Sequence, residues 1–136
     1  MFAIVKLLVD THVFLWIIFS PKKISSRAKD LLFDPEIAKY ISAITFWEVS
    51  LKYQLGKLKL TGVLPDELPV VAQKAGFEIL NLDAGTASTF YQLPKFKDKD
   101  PFDRMLAWQA IRQDCHLLTK DLSFADYRNY GLKTIW

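Results

Sequence analysis

The chain begins with an apolar run that ends at a carboxylate: residues 3–12 are Ala-Ile-Val-Lys-Leu-Leu-Val-Asp-Thr-His. Its aliphatic residues predict a strand over Ala3–Val9, and the apolar segment that follows predicts a helix over Thr11–Phe19. A nearly continuous apolar run before a helix is typical of a strand buried on both faces of a parallel sheet. Ligands bind at the carboxyl ends of such strands, so Asp10 stands where a site is expected.

The composition suits one compact domain. The chain has 136 residues, of which 51% are hydrophobic, enough to form a core. A net charge of +3 permits nucleic-acid binding without requiring it. The single cysteine, Cys115, excludes an internal disulfide and fits a reducing compartment. No stretch reaches the roughly 18 apolar residues of a membrane helix, so we expect a cytoplasmic protein with no membrane contact.

Strands and helices are predicted to alternate along the rest of the chain. Further strands are predicted at Lys39–Ala43, Phe77–Leu82, His116–Thr119 and Leu132–Trp136. Further helices are predicted at Ser25–Phe33, Thr45–Leu55, Pro65–Ala75, Ala84–Leu93 and Pro101–Asp114, with a charged loop at Lys95–Lys99. This alternation predicts the α/β class with a mainly parallel sheet.

Two acids interrupt apolar stripes on predicted helices. Glu48 shares a stripe with Ile44 and Leu51, at a position where an apolar side chain is expected. Asp103 shares a helix face with Leu106 in the same way. Both acids are therefore predicted to face inward rather than toward solvent.

Two further acids follow strands: Asp10 follows the first, and Asp121 follows the apolar run Cys115–Thr119. If the strands are parallel, all four acids meet at one edge of the sheet. Like charges 4 Å apart repel by about 4 kcal/mol at an effective dielectric near 20. Either some carboxylates stay protonated or a hard divalent cation, Mg²⁺ or Mn²⁺, neutralises them. The isolated His12 and His116 give no zinc pattern.

Local structural roles are an alternative for each acid. They are an N-cap for Asp10, a capping box with Thr45 or an i,i+4 pair with Lys52 for Glu48, the N3 position behind an Asp100-Pro101 cap for Asp103, and a turn for Asp121. These roles do not explain why the acids share an edge or interrupt apolar stripes. For Asp100 alone, the capping role is favoured.

A divalent cation at a sheet edge commonly serves phosphoryl chemistry. Basic side chains near the acids would then hold the backbone of a nucleic-acid substrate. The best candidate is Arg104, which adjoins Asp103, and Lys120 occupies the corresponding place beside Asp121.

Six segments carry a resemblance across the chain: Leu7–His12, Ser42–Glu48, Leu55–Leu58, Asp100–Ala107, Leu117–Asp121 and Ile135–Trp136. In order and spacing they resemble PIN-domain ribonucleases of the VapC toxin type. This resemblance implies a three-layer α/β/α sandwich with a mainly parallel sheet of four to five strands, as a single PIN domain over residues 1–136. It also implies hydrolysis of RNA with Mg²⁺ or Mn²⁺, an antitoxin partner and a homodimer.

Carried over by position, the resemblance makes four acids catalytic and metal-binding: Asp10, Glu48, Asp103 and Asp121. Thr11, Thr119 and Asp100 would support them. One departure is the pair Asp98-Lys99, where many relatives have His-Arg or a similar pair.

Two other functions compete with a nuclease. One is a PIN-like module that binds nucleic acid or regulates without turnover, against which the complete set of four acids argues. The other is a phosphoaspartate receiver or phosphatase. That class needs adjacent acids or Asp-x-Asp at the first strand, and Asp10-Thr11-His12 has neither.

Overall fold

The computed structural model of the protein describes residue 4 and residues 6–96 and 100–136. Strands alternate with helices throughout these residues. The strands are β1 (Lys6–Val9), β2 (Ala38–Ser42), β3 (Glu78–Leu80), β4 (His116–Leu118) and β5 (Lys133–Ile135). The α-helices are α1 (Thr11–Phe19), α2 (Ser26–Phe33), α3 (Ala43–Gln54), α4 (Leu68–Lys74), α5 (Ala84–Thr89) and α6 (Pro101–Gln113). Segments of 3₁₀-helix are Pro21–Lys23, Pro65–Glu67, Phe90–Gln92 and Leu122–Tyr130.

The sheet has β1 at its centre. The strand order is β3-β2-β1-β4-β5, and every neighbouring pair is parallel. From β1 the chain first builds one half of the sheet through β2 and β3, and then returns to build the other half through β4 and β5. The order therefore reverses between β1 and β4. In open parallel sheets, the crevice outside the carboxyl ends of the strands at such a reversal is the usual ligand site.

The sheet is covered by helices on both faces, because its strand residues alternate between two apolar clusters. Leu7 and Val9 of β1 belong to a cluster with residues of α1, α2 and α4, among them Phe14, Ala28 and Ala72. Leu8 belongs to the second cluster, which includes Leu106 and Ala107 of α6 and Phe124 and Tyr127 of the 3₁₀ segment Leu122–Tyr130. The predicted three-layer α/β/α sandwich with a parallel sheet is thus confirmed.

A buried hydrogen bond links the start of α3, which follows β2, to α6, which precedes β4. The Ser42 hydroxyl donates to Gln109 Oε1 at 2.5 Å, and both side chains are buried. Ser42 Oγ also accepts from the backbone N–H of Ile44 at 3.0 Å, which makes it the N-cap of α3. A single serine therefore starts α3 and links it to the middle of α6.

Local predictions fail at two places. Helix α3 begins at Ala43 under the Ser42 cap, so the predicted start at Thr45 and its capping box with Glu48 are wrong. The 3₁₀ segment Leu122–Tyr130 was not predicted from the sequence; it ends at Gly131, whose φ of 99° only glycine adopts readily.

Some predicted features lie outside the described residues. They are residues 3 and 5 of the predicted first strand, and part of the charged loop, including Asp98-Lys99. Among the helices that the structure describes, none has the length and apolar character needed to cross a bilayer.

Candidate functional site

Asp10 lies at the carboxyl end of β1, beside the reversal of strand order. Its backbone N–H donates to the carbonyl of Leu118 at 3.1 Å, which continues the pairing of β1 with β4. As the N-cap of α1, Asp10 Oδ1 accepts from the backbone N–H of His12 at 2.7 Å. Oδ2 accepts from the Thr119 hydroxyl at 2.5 Å. The capping role of Asp10 is confirmed. The residue is only 4% exposed, and each of its carboxylate oxygens accepts a hydrogen bond from a neutral donor.

Burial raises the pKa of Asp10 above its ordinary value. The hydrogen bonds from Thr119 and His12 act in the opposite direction, and the negative charge of Asp121 adds to the rise. Asp121 itself is exposed, and its Oδ1 accepts from the backbone N–H of Ser123 at 2.9 Å as a helix cap. Asp10, Thr119 and Asp121 thus form one electrostatic unit, which we call the Asp10 corner.

Glu48 faces inward from α3, as its place on an apolar stripe predicted. It is 2% exposed, and its Oε2 forms an ion pair with Lys52 one turn along the helix, so the predicted i,i+4 pair is confirmed. Its other carboxylate oxygen, Oε1, is buried and accepts no hydrogen bond from the described part of the chain. Glu48 therefore has one oxygen held by a cation and one that can still act as a ligand.

Lys52 connects Glu48 to the start of α6. Burial alone would lower the pKa of Lys52, but the hydrogen bond and charge of Glu48, with the charges of Asp100 and Asp103, raise it above its ordinary value. Asp100 caps α6 by accepting from the backbone N–H of Asp103 at 2.7 Å, as predicted. Glu48, Lys52, Asp100 and Asp103 form the second unit, the Glu48 corner.

Thr11 and His12 lie between the two corners. The Thr11 hydroxyl is buried against the hydroxyl of Thr45 at 2.9 Å, which joins the start of α1 to α3. The His12 side chain is 69% exposed and lines both the cleft beside Asp10 and the cleft beside Glu48. His12 is therefore a rim residue shared by the two clefts, and the interpretation of this isolated histidine as a core residue is wrong.

The acids fit a divalent cation in chemistry but not as one preassembled cluster. Carboxylate oxygens are the donors that Mg²⁺ and Mn²⁺ prefer, and the orphaned Glu48 Oε1 is such a donor. Across residues 6–96 and 100–136, however, no three His, Cys, Asp or Glu side chains are arranged to hold one ion. The structure brings the four predicted acids to one edge of the sheet as two corners. For Glu48 to bind a metal through both oxygens, Lys52 would have to leave it.

The two predicted substrate-binding residues have different surroundings. Arg104 Nη2 donates to the carbonyl of Leu93 at 3.3 Å, and its guanidinium lies 4.5 Å from the centroid of the Phe90 ring. These contacts favour a packing role for Arg104, and its substrate role stays a prediction. Lys120 is exposed and lines the cleft beside Asp10.

A second cleft adjoins the Asp10 corner, with a volume of about 430 Å³. Its lining includes three cationic side chains and one aromatic ring, which together we call the basic cleft: Arg27, Lys120, Arg128 and Trp136. Of these, only Lys120 was predicted as a site residue. Arg27 is about a hundred residues away from Arg128 and Trp136 in the sequence, so no local pattern indicates that they line one cleft.

The sequence from residue 7 to residue 130 matches the family model of the PIN domain. The chain belongs to the PIN domain family. The match covers nearly all of the chain, and both corners lie within it. The resemblance predicted from the sequence motifs is thereby confirmed for the family, while the assignment of residues 1–136 to a single PIN domain stays a prediction. This PIN domain has no significant match among curated protein sequences.

Solved structures of toxin-antitoxin complexes share the fold of this PIN domain. One is VapBC2 from Rickettsia felis, bound to a DNA fragment from its promoter (TM-score 0.69, 19% identity, 96% of this chain and 97% of that one). Another is VapBC-1 from nontypeable Haemophilus influenzae (TM-score 0.65, 16% identity, 96% of each chain). A third is VapBC-5 from Mycobacterium tuberculosis (TM-score 0.60, 18% identity, 96% and 97%). At these identities the likeness establishes the shared fold, and the resemblance to VapC-type proteins holds at that level.

Proposed function

We propose that this PIN domain is a divalent-metal-dependent endoribonuclease that acts as the toxin of a toxin-antitoxin pair. One observation carries the proposal. Asp10 is buried at the reversal of strand order, burial raises its pKa, and its two hydrogen bonds come from neutral donors, with the His12 ring 4.0 Å from Oδ1. This buried environment disfavours the charged form of the Asp10 carboxyl group, and a cation bound there would offset that cost.

The proposed metal ligands are Asp10, Glu48, Asp103 and Asp121. When bound, the divalent cation would polarise the phosphodiester and lower the pKa of a water molecule. Thr119 keeps Asp10 Oδ2 oriented, and the Asp10 cap on α1 fixes Oδ1. The unpaired Oε1 of Glu48 can accept a hydrogen bond from the attacking water.

Lys52 has a defined part in this proposal. It compensates the charge of Glu48 while no other cation is present, and it lies within the field of Asp100 and Asp103. If a divalent cation were held by Glu48, the ammonium group of Lys52 would be released from the ion pair and could hold a phosphate oxygen of the substrate.

An antitoxin is the proposed partner, because the structural neighbours include complexes described as toxin-antitoxin systems. An apolar groove of about 270 Å³ between α1, α2 and the start of β3 offers a surface for a partner protein. Its rim carries Phe33, which is 83% exposed. A homodimer and a cytoplasmic location remain part of the same proposal.

A non-catalytic module that binds nucleic acid is the second candidate. Two observations favour it. Lys52 neutralises Glu48 within the protein, and the described acids do not form one cluster that could hold an ion. Such a protein would bind RNA without needing a divalent cation.

The deciding experiment incubates the purified protein with end-labelled RNA in Mg²⁺, Mn²⁺ or EDTA. We expect cleavage with either metal, none in EDTA, and a loss of about a thousandfold in Asp10→Asn and in Glu48→Gln, because metal polarisation contributes several kcal/mol. The matched control is Asp66→Asn, which removes an exposed carboxylate on the 3₁₀ segment Pro65–Glu67 and should cleave normally. Metal-independent cleavage, or an active Asp10→Asn, would overturn the nuclease. RNA binding without cleavage in either metal would favour the second candidate.

A further inference from the structure

The basic cleft gathers cations from separate parts of the fold. Arg27 comes from α2, Lys120 from the turn after β4, and Arg128 from the 3₁₀ segment Leu122–Tyr130. All three are exposed, and none of their side chains forms an ion pair or hydrogen bond within the described residues. Three like charges around one cavity repel each other unless an anion lies between them. Asp121 also lines the cleft, so three cations face one carboxylate, and this excess of positive charge would attract an anion.

The basic cleft continues into the cleft of the Asp10 corner. Lys120 and Asp121 line both cavities, whose volumes are about 430 and 370 Å³. Each volume lies in the range of about 300–1,000 Å³ that is usual for ligand pockets. The two clefts thus adjoin each other at Lys120 and Asp121, so one extended chain could contact both.

Two tryptophans form one aromatic wall along this path. Trp16 lines the cleft beside Asp10, and Trp136 lines the basic cleft. Their rings contact edge to face, with centroids 6.0 Å apart and planes at 66°. Lys23 Nζ lies 5.7 Å from the centroid of the Trp16 ring, which adds another cation beside the wall. Both tryptophans are half-buried, so each leaves part of its surface open to the clefts. Cations beside aromatic rings bind single-stranded nucleic acid, because phosphates pair with the charges and bases stack on the rings.

We propose that the basic cleft binds the single-stranded RNA segment that adjoins the phosphate held at the Asp10 corner. Arg27, Lys120 and Arg128 contact its phosphates, and Trp136 contacts a base. The inference rests on the proposed nuclease function and extends it by naming where the substrate lies. A duplex would not bind here in the same way, because its base faces are stacked on one another and cannot reach the tryptophan wall.

The test is the salt dependence of RNA binding. A fluorescein-labelled oligoribonucleotide without secondary structure is titrated with protein in EDTA, which prevents cleavage, and anisotropy gives Kd. In Arg27→Ala/Arg128→Ala we expect Kd to rise about tenfold near 0.15 M salt. The slope of log K against log salt should fall by about 1.4, because each lost phosphate contact on a single strand removes about 0.7. The matched control is Lys29→Ala/Lys74→Ala, which removes two exposed lysines outside the cleft and should change Kd less than twofold.

Two further ligands test which chemistry the cleft recognises. An abasic strand of the same length should bind about tenfold more weakly than RNA, since stacking on the tryptophan wall is lost. A poly-glutamate peptide of equal charge should bind still more weakly. If the peptide binds as well as RNA and responds equally to the double variant, the cleft is a site for an acidic protein segment and the inference is wrong.

The outcomes separate this inference from the proposed function. If Asp10→Asn still cleaves RNA, the nuclease assignment fails, while the salt slope still reports on the cleft. If cleavage requires Asp10 but the Arg27→Ala/Arg128→Ala variant binds RNA with unchanged Kd and slope, only the cleft inference is overturned. Thermal unfolding of each variant verifies that the fold is retained.

Discussion

The two acidic corners stabilise a buried carboxylate in opposite ways. In the Asp10 corner, a hydroxyl and a backbone N–H hold Asp10, and the nearby Asp121 makes ionisation harder. In the Glu48 corner, the ammonium group of Lys52 neutralises Glu48 directly. The two side chains are almost equally buried, at 4% and 2% exposed. Two carboxylates of similar burial therefore have different nearest donors, neutral groups at Asp10 and an ammonium group at Glu48.

This difference indicates where an external cation matters more. At the Asp10 corner burial disfavours the charged form of Asp10, so a divalent ion bound there would relieve an existing cost. At the Glu48 corner a cation is already present, and a metal must compete with it. Substitutions in each corner test whether an internal cation at Glu48 and neutral donors at Asp10 have these different effects.

The largest effect is expected from Lys52→Met, which removes the internal cation. Breaking one side of a buried ion pair typically costs about 3–5 kcal/mol. Because the Lys52 side chain is 36% exposed, we expect a loss of about 2–3 kcal/mol in the free energy of unfolding, measured by urea denaturation in EDTA. Added Mg²⁺ should then stabilise this variant more than the wild type.

Two controls accompany Lys52→Met. Lys52→Met/Glu48→Gln removes both charges and should recover most of the lost stability. Lys59→Met changes an exposed lysine and should be neutral. A single variant as stable as the wild type would mean that the ion pair does not compensate Glu48, and the contrast between the corners would disappear.

A smaller effect is expected from Thr119→Val, which keeps the shape of the side chain but deletes the donor to Asp10 Oδ2. The same hydroxyl oxygen accepts from the backbone N–H of Asp121 at 3.0 Å, so one substitution removes two contacts. Leaving a buried polar group unpaired costs about 1–3 kcal/mol. We expect a loss of about 2 kcal/mol and a further rise in the pKa of Asp10, followed by carboxyl NMR.

Thr11→Val is the comparison for this substitution. It breaks only a bond between two hydroxyls, that of Thr11 with Thr45, and should cost about 1 kcal/mol. Equal losses for the two variants, with no change in the pKa of Asp10, would show that Thr119 does not serve the carboxylate.

The smallest effect concerns the pH dependence of stability. The pKa of Asp10 is raised in the folded protein, mainly by burial, so the unfolded chain releases this proton at lower pH than the folded one does. The contribution of Asp10 to the free energy of unfolding is most favourable below the pKa of aspartate in the unfolded chain, about 4. It is lost as the pH rises through the higher pKa of Asp10 in the folded protein. Asp10→Asn should therefore be more stable than the wild type at pH 7, with the difference vanishing near pH 3.

This comparison is made by urea denaturation in EDTA across that pH range. Asparagine can still accept from His12 and contact Thr119, so the variant keeps the capping geometry. A wild type that is the more stable protein at pH 7 would contradict the raised pKa and the account of the Asp10 corner.

The fold was predictable wherever a local pattern decides the structure. The junction of β1 and α1 follows from an apolar run that stops at a capping aspartate, and α1 has its predicted bounds. The start of α3 was not predictable, because Ser42 and Thr45 are both good N-cap residues. The choice falls on Ser42, whose hydroxyl also reaches Gln109 in another layer.

The missed 3₁₀ segment and the basic cleft have different causes. In Leu122–Tyr130 the buried Phe124 and Tyr127 are three residues apart, a spacing that fits a 3₁₀ turn and an α-helix equally, so two apolar positions do not identify the segment. The basic cleft depends on side chains brought together only by the order of the strands. For the candidate site, the sequence indicated which acids share an edge and that Glu48 could pair with Lys52, but not that the acids form two separate corners.

The Ser42–Gln109 hydrogen bond has a consequence for the alignment of α3 and α6, the helices that carry Glu48 and Asp103. A slip of α6 by one residue along its axis would displace Asp103 by about 1.5 Å and rotate it by about 100°. Apolar packing alone tolerates such sliding more easily than a buried amide tolerates losing its partner, which costs about 1–3 kcal/mol. This buried, uncharged hydrogen bond therefore helps to hold α3 and α6 in register. It fixes the relative positions of Glu48 and Asp103 although neither acid takes part in it.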